Sequence, residues 1–448
     1  MFRRLAISFV LSVAAMNAMA RTRPHYGGTL HVEIAGDAWE RPAGVARRLV
    51  YDGLTQFDTN GTLRPALALT WEQDNNFHRW QFRLRPGVRF HDGSAVTSAT
   101  IVSSLTASCS ANCPWDTVKV VGPLVIFSND SPMTNLPALL ASDQFLIALT
   151  ANGDGRSPAS AVGTGPFQVT GFNNGVLALA ANETCWSGRA FADGIEIRVH
   201  RAVRDQWLDL SLGRADVVEV PAEQLRLAQQ QHLSVIQSPP IVLLALQLGE
   251  SGMLANVKAR GAIAAAVDRG ALYNVIFQKQ GEVTASLLPQ KMSGYSFLFS
   301  TERDLNRAHQ LRGGLATGAI TMSAEGDGAM QLAAQRIALN LHEAGFNVQM
   351  AAAGTQHADL ILRQFLIAGS DCGAAIERIL WDAGLPASVG DKTSEDLYKR
   401  ELSILDNHRI VPLLDLPRGY AIGARLRDVH LRADGSPDVS SASLEDVR

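Results

Sequence analysis

A histidine beside an aspartate is what a general base and its orienting carboxylate would use. His91-Asp92 supplies that pair, within a stretch rich in arginine, WQFRLRPGVRFHDGSAVTSATIVSSL at Trp80–Leu105. Spacing argues against the chemistry. In an extended chain neighbouring side chains point to opposite faces, so His91 and Asp92 cannot form a dyad by themselves. The other reactive patterns fail in similar ways. HEAGF at His342–Phe346 begins the zinc-protease pattern but has Phe346 where the second histidine belongs. GDGAM and GDGRS lack the third glycine and the lysine of a phosphate loop, and no Gly-x-Ser-x-Gly elbow occurs. The 11 histidines are scattered without pairing at helical spacing. A hydrolase would need a nucleophile, a base and an oxyanion site, and none can be assembled, so no catalytic residue is assigned. Cys109 and Cys113, in CSANC, could close a small disulfide loop. Zinc would need two further ligands at workable spacing, so no metal site and no cofactor are expected.

The elements around His91 read as scaffold. Trp80, Phe82 and Leu84 alternate with Gln81, Arg83 and Arg85, as in a half-buried strand. Pro86-Gly87 is a turn, and Val88 and Phe90 read as the returning strand. Asp92-Gly93 ends it, and Thr97 sits where the N-cap of a helix carrying Ile101, Val102 and Leu105 belongs. Further on, Asn256 is a plausible N-cap for a helix with Val257, Ile263, Ala264 and Val267 as its apolar stripe. AITMS at Ala319–Ser323, the amphipathic run Gly328–Gly345, and the strands FNVQM at Phe346–Met350 and ADLILRQF at Ala358–Phe365 follow. Strand–helix–strand order predicts a parallel sheet and an α/β fold.

Composition bounds the class. The 448 residues are 46% hydrophobic and 19% charged, enough for two or three domains. A formal charge of −3 lacks the basic excess of a nucleic-acid binder. At the start, MFRRLAISFVLSVAAMNAMA has Arg3 and Arg4, an apolar run from Leu5 to Met16, and Ala18-Met19-Ala20. This is the layout of a cleaved signal peptide, residues 1–20, with an apolar run shorter than the ~20 residues of a spanning helix. Export to an oxidising compartment, the periplasm, is expected, where the four cysteines could form disulfides.

The stretch that holds His91 also carries a resemblance. YDGLTQFD at Tyr51–Asp58, RPALALTW at Arg64–Trp71 and FRLRPGVRFHDGSAVTSA at Phe82–Ala99 follow one another in the order of a known signature. GTGPFQV at Gly163–Val169, LGRADVVEV at Leu212–Val220 and NVKARGAIAAAVDRGALYNVIF at Asn256–Phe277 continue it. The chain resembles the extracytoplasmic solute-binding proteins of ABC transporters, family 5, which bind peptides and nickel. The resemblance implies a two-lobed periplasmic binding protein type II fold of the large, three-subdomain variety, with two crossover strands. Lobe one would span 21–243 plus 413–448, with an extra subdomain at about 52–160, and lobe two 244–412. The crossovers would lie at Leu243–Leu248 and Val411–Leu416.

By the same resemblance the function is that of the substrate-binding component of an ABC importer. It would clamp a peptide or similar small solute between its lobes and deliver it to a permease in the inner membrane, as a monomer that binds no nucleic acid. A peptide needs an acid for its ammonium and a base for its carboxylate. Asp371 and Arg363 could supply them, with the alternatives that Asp371 caps a loop and Arg363 is a solvated strand-edge residue. Trp39 and Trp381 could stack on ligand or serve packing, and Gln247 could hydrogen-bond ligand from the first crossover. The chain departs from the family in two places, of which the second weakens peptide recognition. EIAGDAWERP at Glu33–Pro42 replaces the family's Leu-Asp-Pro, and FLIAGSDCGAAIE at Phe365–Glu377 lacks the tyrosine and proline that accompany the peptide-binding aspartate. A non-peptide solute such as a metal chelate, haem or a sugar is therefore the alternative, and an exported hydrolase the more distant one.

Overall fold

The computed structural model describes residues 25–39, 45–59, 61–109, 113–149, 157–315, 318–326, 328–352, 355, 357–367, 371–386 and 393–445. The expected signal peptide lies outside the described residues. Two large sheets organise the chain. The first runs in the order Ser234–Gln237, Gly419–Ile422, Val217–Val220, Thr29–Glu33, Gly194–Arg198, Val176–Ala181, Phe167–Asn173. The second runs Glu282–Val283, Ile410–Leu416, Val242–Leu248, Leu360–Leu366, Ala319–Ala324, Asn347–Met350. Ala319–Ala324 pairs in parallel with Asn347–Met350 across the helix Ala329–Glu343, as strand–helix–strand order requires. Each sheet has its own apolar core. The fold is thus the two-lobed α/β architecture expected.

The lobes join where the chain changes sheets. Val242–Leu248 and Ile410–Leu416 are nearly continuous apolar runs, buried along almost their whole length and paired with each other inside the second sheet. The expected divisions after 243 and before 413 fall inside these strands. The chain instead passes between sheets through Ser238–Ile241 and Pro417-Arg418, just beyond the ends of the paired runs. The two passages bind each other: Ser238 N–H donates to Arg418 O at 2.9 Å, and Arg418 N–H donates to the Ser238 hydroxyl at 3.0 Å.

The extra subdomain is an antiparallel sheet of Ala68–Gln73, Arg79–Leu84, Leu124–Ser128 and Thr117–Val121. Trp80, Phe82 and Leu84 face its core with Ile101 and Leu105 of the helix Ser98–Cys109. Thr97 accepts from Thr100 N–H at 3.2 Å, the N-cap expected. The returning strand does not form. Arg79–Leu84 is already paired on both edges, so Val88–Phe90 has no free edge to join and makes only a local loop bridged between Arg89 and Ala95. Asn256 caps its helix through Lys258 N–H at 2.9 Å. Val257, however, is 46% exposed. It occupies the first turn, whose outer side faces solvent, and the buried stripe is Ala259, Ala262, Ile263 and Ala266.

His91 is a staple. Its Nδ1 accepts from Gly163 N–H at 3.2 Å, and its Nε2 lies 3.1 Å from Gly165 O. That pattern requires a neutral ring with the proton on Nε2. Burial pushes the ring's pKa down, in the same direction. Asp92 turns away and accepts from Ser94 N–H and the Ser94 hydroxyl. The stapled turn lies against the short helix Arg47–Val50 so closely that a Cβ on Gly163 would collide with Val50 O. The signature stretch therefore fixes the helix that carries Arg48.

Candidate ligand cavity between the lobes

A cavity of about 520 Å³ opens between the lobes. One helix forms most of its lobe-two wall. Ala374, Glu377, Arg378 and Trp381 lie on one face of the helix Cys372–Asp382, with Asp371 at its N-cap and Leu385 just past its end. Ala375, Ile376, Ile379 and Leu380 on the other face are buried in lobe two, so the helix is anchored from behind. Asp371 caps it, accepting from Ala374 N–H at 2.7 Å. Trp381, 43% exposed, offers an aromatic surface to the opening.

The lobe-one wall comes from three distant parts of the chain. These are Arg48, the strap Ala138–Phe145, and the tip Arg432–Asp434 of a C-terminal hairpin. Phe57, Cys113 and Pro114 complete it. Arg48 ties these parts together: it meets Asp143 at 2.7 Å and Asp434 at 3.4 Å, and donates to Ala141 O at 2.8 Å. Burial works against the Asp434 carboxylate, but Arg48, the Ser436 hydroxyl, Arg418 and Arg432 outweigh it and hold its pKa below the ordinary value. Arg432 is held by Asp438 at 3.0 Å. On lobe two, Arg378 meets Asp382 at 2.8 Å and Glu377 faces Arg400 at 3.8 Å.

Of the residues singled out from sequence, Asp371 and Trp381 line this cavity, and the other three do not. Arg363 meets Glu325 at 3.1 Å, donates to Gln247 Oε1 at 2.9 Å, and lies over the Phe365 ring. Gln247 in turn donates to Ala383 O at 2.8 Å. Both are therefore engaged in joining the sheet to the end of the cavity helix. Trp39 is 5% exposed, packed edge-on against Tyr51 in the lobe-one core, and borders a separate small cleft. Cys109 and Cys113 form a disulfide, with Cys113 at the cavity edge, while Cys185 and Cys372 are free thiols. Glu377 and Arg378 could have been found by continuing the helical spacing from Asp371. Arg48, Asp143, Arg432 and Asp434 carry no local signal, because their proximity is created only by the fold.

Among the described residues no cluster of metal-ligating side chains occurs, and no helix is long and apolar enough to cross a membrane. The model of the bacterial extracellular solute-binding proteins, family 5 (Middle), matches residues 62–365. Among curated proteins, the chain is 31% identical over 166 residues to the uncharacterized protein YhjP of Bacillus subtilis, covering 35% of this chain and 28% of that protein. The curated relatives it matches first are covered over about a quarter to a half of their own length, from 28% to 52%. Solved structures are covered almost whole. The binding protein AgaA in complex with agropinic acid, from A. tumefaciens R10, superposes with a TM-score of 0.82 at 19% identity, over 94% of this chain and 99% of that one. The oligopeptide-binding protein AppA from Bacillus subtilis, in complex with a nonapeptide, gives 0.79 at 16% identity, over 95% and 100%. These likenesses are of fold, while the family match reaches well over half the sequence. The chain belongs to the bacterial extracellular solute-binding proteins, family 5, a family of binding proteins rather than enzymes.

Proposed function

We propose that this protein is the exported substrate-binding component of an ABC importer, closing two lobes around a peptide or similar small solute and passing it to a membrane permease. The observation that carries the reading is the cavity, walled by Asp371–Leu385 on one lobe and by Arg48, Asp143 and Arg432–Asp434 on the other. Ligand contacts to both walls favour the closed form, and closure needs movement only at the paired passages Ser238–Ile241 and Pro417-Arg418. The signal peptide at residues 1–20 would deliver the chain to the periplasm. Bond-making chemistry has no part in this mechanism.

A second reading, a non-peptide solute, is favoured by one observation: Arg363, the expected partner of a peptide carboxylate, is engaged elsewhere by Glu325 and Gln247. Small-angle scattering and thermal melting of the mature protein with a casein digest, and separately with metal chelates, haem and sugars, test both readings. A fall in radius of gyration together with a rise in Tm is expected in one arm. No change in either quantity in any arm refutes the binding role.

A further inference from the structure

The charged side chains lining the cavity among the described residues are matched within the protein. On lobe one, Arg48 spans Asp143 at 2.7 Å and Asp434 at 3.4 Å, and Arg432 is held by Asp438 at 3.0 Å. On lobe two, Arg378 is held by Asp382 at 2.8 Å, and Glu377 faces Arg400 at 3.8 Å. Asp371 directs one oxygen to Ala374 N–H at the start of its own helix, where the backbone dipole favours a negative charge. Apart from Asp371, which is held by a backbone N–H, each of these acids and bases faces an opposite charge before any ligand arrives.

This matters because of what a charged ligand would meet. Entering the cavity strips its hydration, and the loss is recovered only if a counter-charge is waiting. To obtain one here, a ligand carboxylate would have to draw Arg48 from Asp143 or Arg432 from Asp438, weakening a pair already formed. A ligand ammonium would have to compete with Arg400 for Glu377, or with the helix start for Asp371. The wall that remains open to contact is apolar and aromatic: Trp381 and Leu385 on lobe two, Phe57 and Leu139 on lobe one. Pockets of a few hundred Å³ take small molecules whose bodies are mainly apolar and whose few polar groups fix orientation.

Building on the binding role proposed above, we infer that the solute carries no formal charges and is largely apolar or aromatic, seated against Trp381 and held by hydrogen bonds rather than by ion pairs at its ends. This departs from the recognition that free peptide termini would demand. Peptides remain candidates only if their termini are blocked or lie outside the cavity.

One apolar tripeptide in four forms tests the inference: Leu-Phe-Leu free, N-acetylated, C-amidated, and capped at both ends. Each is titrated calorimetrically into the mature protein at 20 and 500 mM NaCl. The doubly capped form is expected to bind at least as tightly as the free form. Its Kd should change less than about twofold between the two salts, because no ion pair is there to be screened. The Trp381→Ala variant should bind it about tenfold or more weakly; this helix is anchored through its opposite face, and circular dichroism verifies the fold. A free form that binds tenfold tighter than the capped form, or a tenfold loss at high salt, overturns the inference while leaving the binding role intact. If no form binds, the protein is incubated with dialysed yeast extract, washed and denatured, and any released compound is identified by mass spectrometry. A neutral apolar compound supports the inference and a charged one overturns it. Release of nothing refutes the binding role itself, and the inference falls with it.

Discussion

Replacing His91 by leucine separates the scaffold reading of the signature stretch from any role in ligand chemistry. Leucine keeps much of the ring's volume but removes both polar contacts. The bond to Gly165 O is lost, but that oxygen still accepts from the Asn182 side chain at 3.0 Å. Gly163 N–H has no such reserve, because His91 Nδ1 is the acceptor it faces at 3.2 Å. One lost bond costs about 1 kcal/mol and one stranded buried donor about 1–3 kcal/mol, so the variant should be less stable by about 2–4 kcal/mol at pH 7.5. The pH dependence follows from the sign of the shift. Burial lowers the folded-state pKa of His91 below its ordinary value, so the unfolded chain takes up the proton more readily. Wild-type stability should therefore decline as pH falls below about 6.5 and on through the folded value. The leucine variant lacks that loss. Urea titrations at pH 7.5, 6.5 and 5.5 should show the two proteins converging as pH falls. A difference under about 0.5 kcal/mol at pH 7.5, or a gap that widens toward acid, would refute the staple.

Three further outcomes are expected. Asp415, 1% exposed near the end of the second passage strand and opposite Glu282 in the neighbouring strand, has its pKa pushed well above the carboxylate range by burial and then by Glu282. Its folded form favours the proton, so stability should fall as pH rises above about 3.9, and Asp415→Asn should gain about 1–3 kcal/mol near pH 8, a gain that shrinks toward pH 4 in a melting series. Asp371→Ala removes the cap of the cavity helix and should cost about 1 kcal/mol in urea unfolding, whereas Asp371→Asn, which can still cap, should cost only a few tenths. Cys109→Ser opens a disulfide between positions only 4 apart, so chain entropy limits the loss to about 2 kcal/mol, measured by comparing oxidised wild type with the variant.

Much of the fold was legible because it rests on local patterns. Alternation at Trp80, Phe82 and Leu84 marks a strand with one buried face, and Thr97 and Asn256 mark helix starts, since a cap acts within three residues of itself. The strand–helix–strand run from Ala319 to Met350 dictates parallel pairing by handedness and connection length. Pairing partners were less legible. Val88–Phe90 has strand composition, but whether it pairs depends on a free edge, and Leu124–Ser128 from far along the chain occupies the edge it would need.

The cavity divides in the same way. Asp371 and Trp381 were named from the family resemblance and their chemistry, and the structure places them together at the N-cap and on the face of one helix. Arg363 and Gln247 have the right chemistry, but the registers of Leu360–Leu366 and Val242–Leu248 turn them toward each other and away from the cavity. Arg48, Asp143 and Asp434 are separated by most of the chain and meet only after both sheets and the C-terminal hairpin are in place. Sequence alone determined the α/β elements, because periodicity and caps act over a few residues, and the two-lobed arrangement followed from the family resemblance. Tertiary structure alone decided which of the cavity's charges meet in ion pairs before any ligand arrives, because an ion pair depends on distance in space and residue order does not encode that distance.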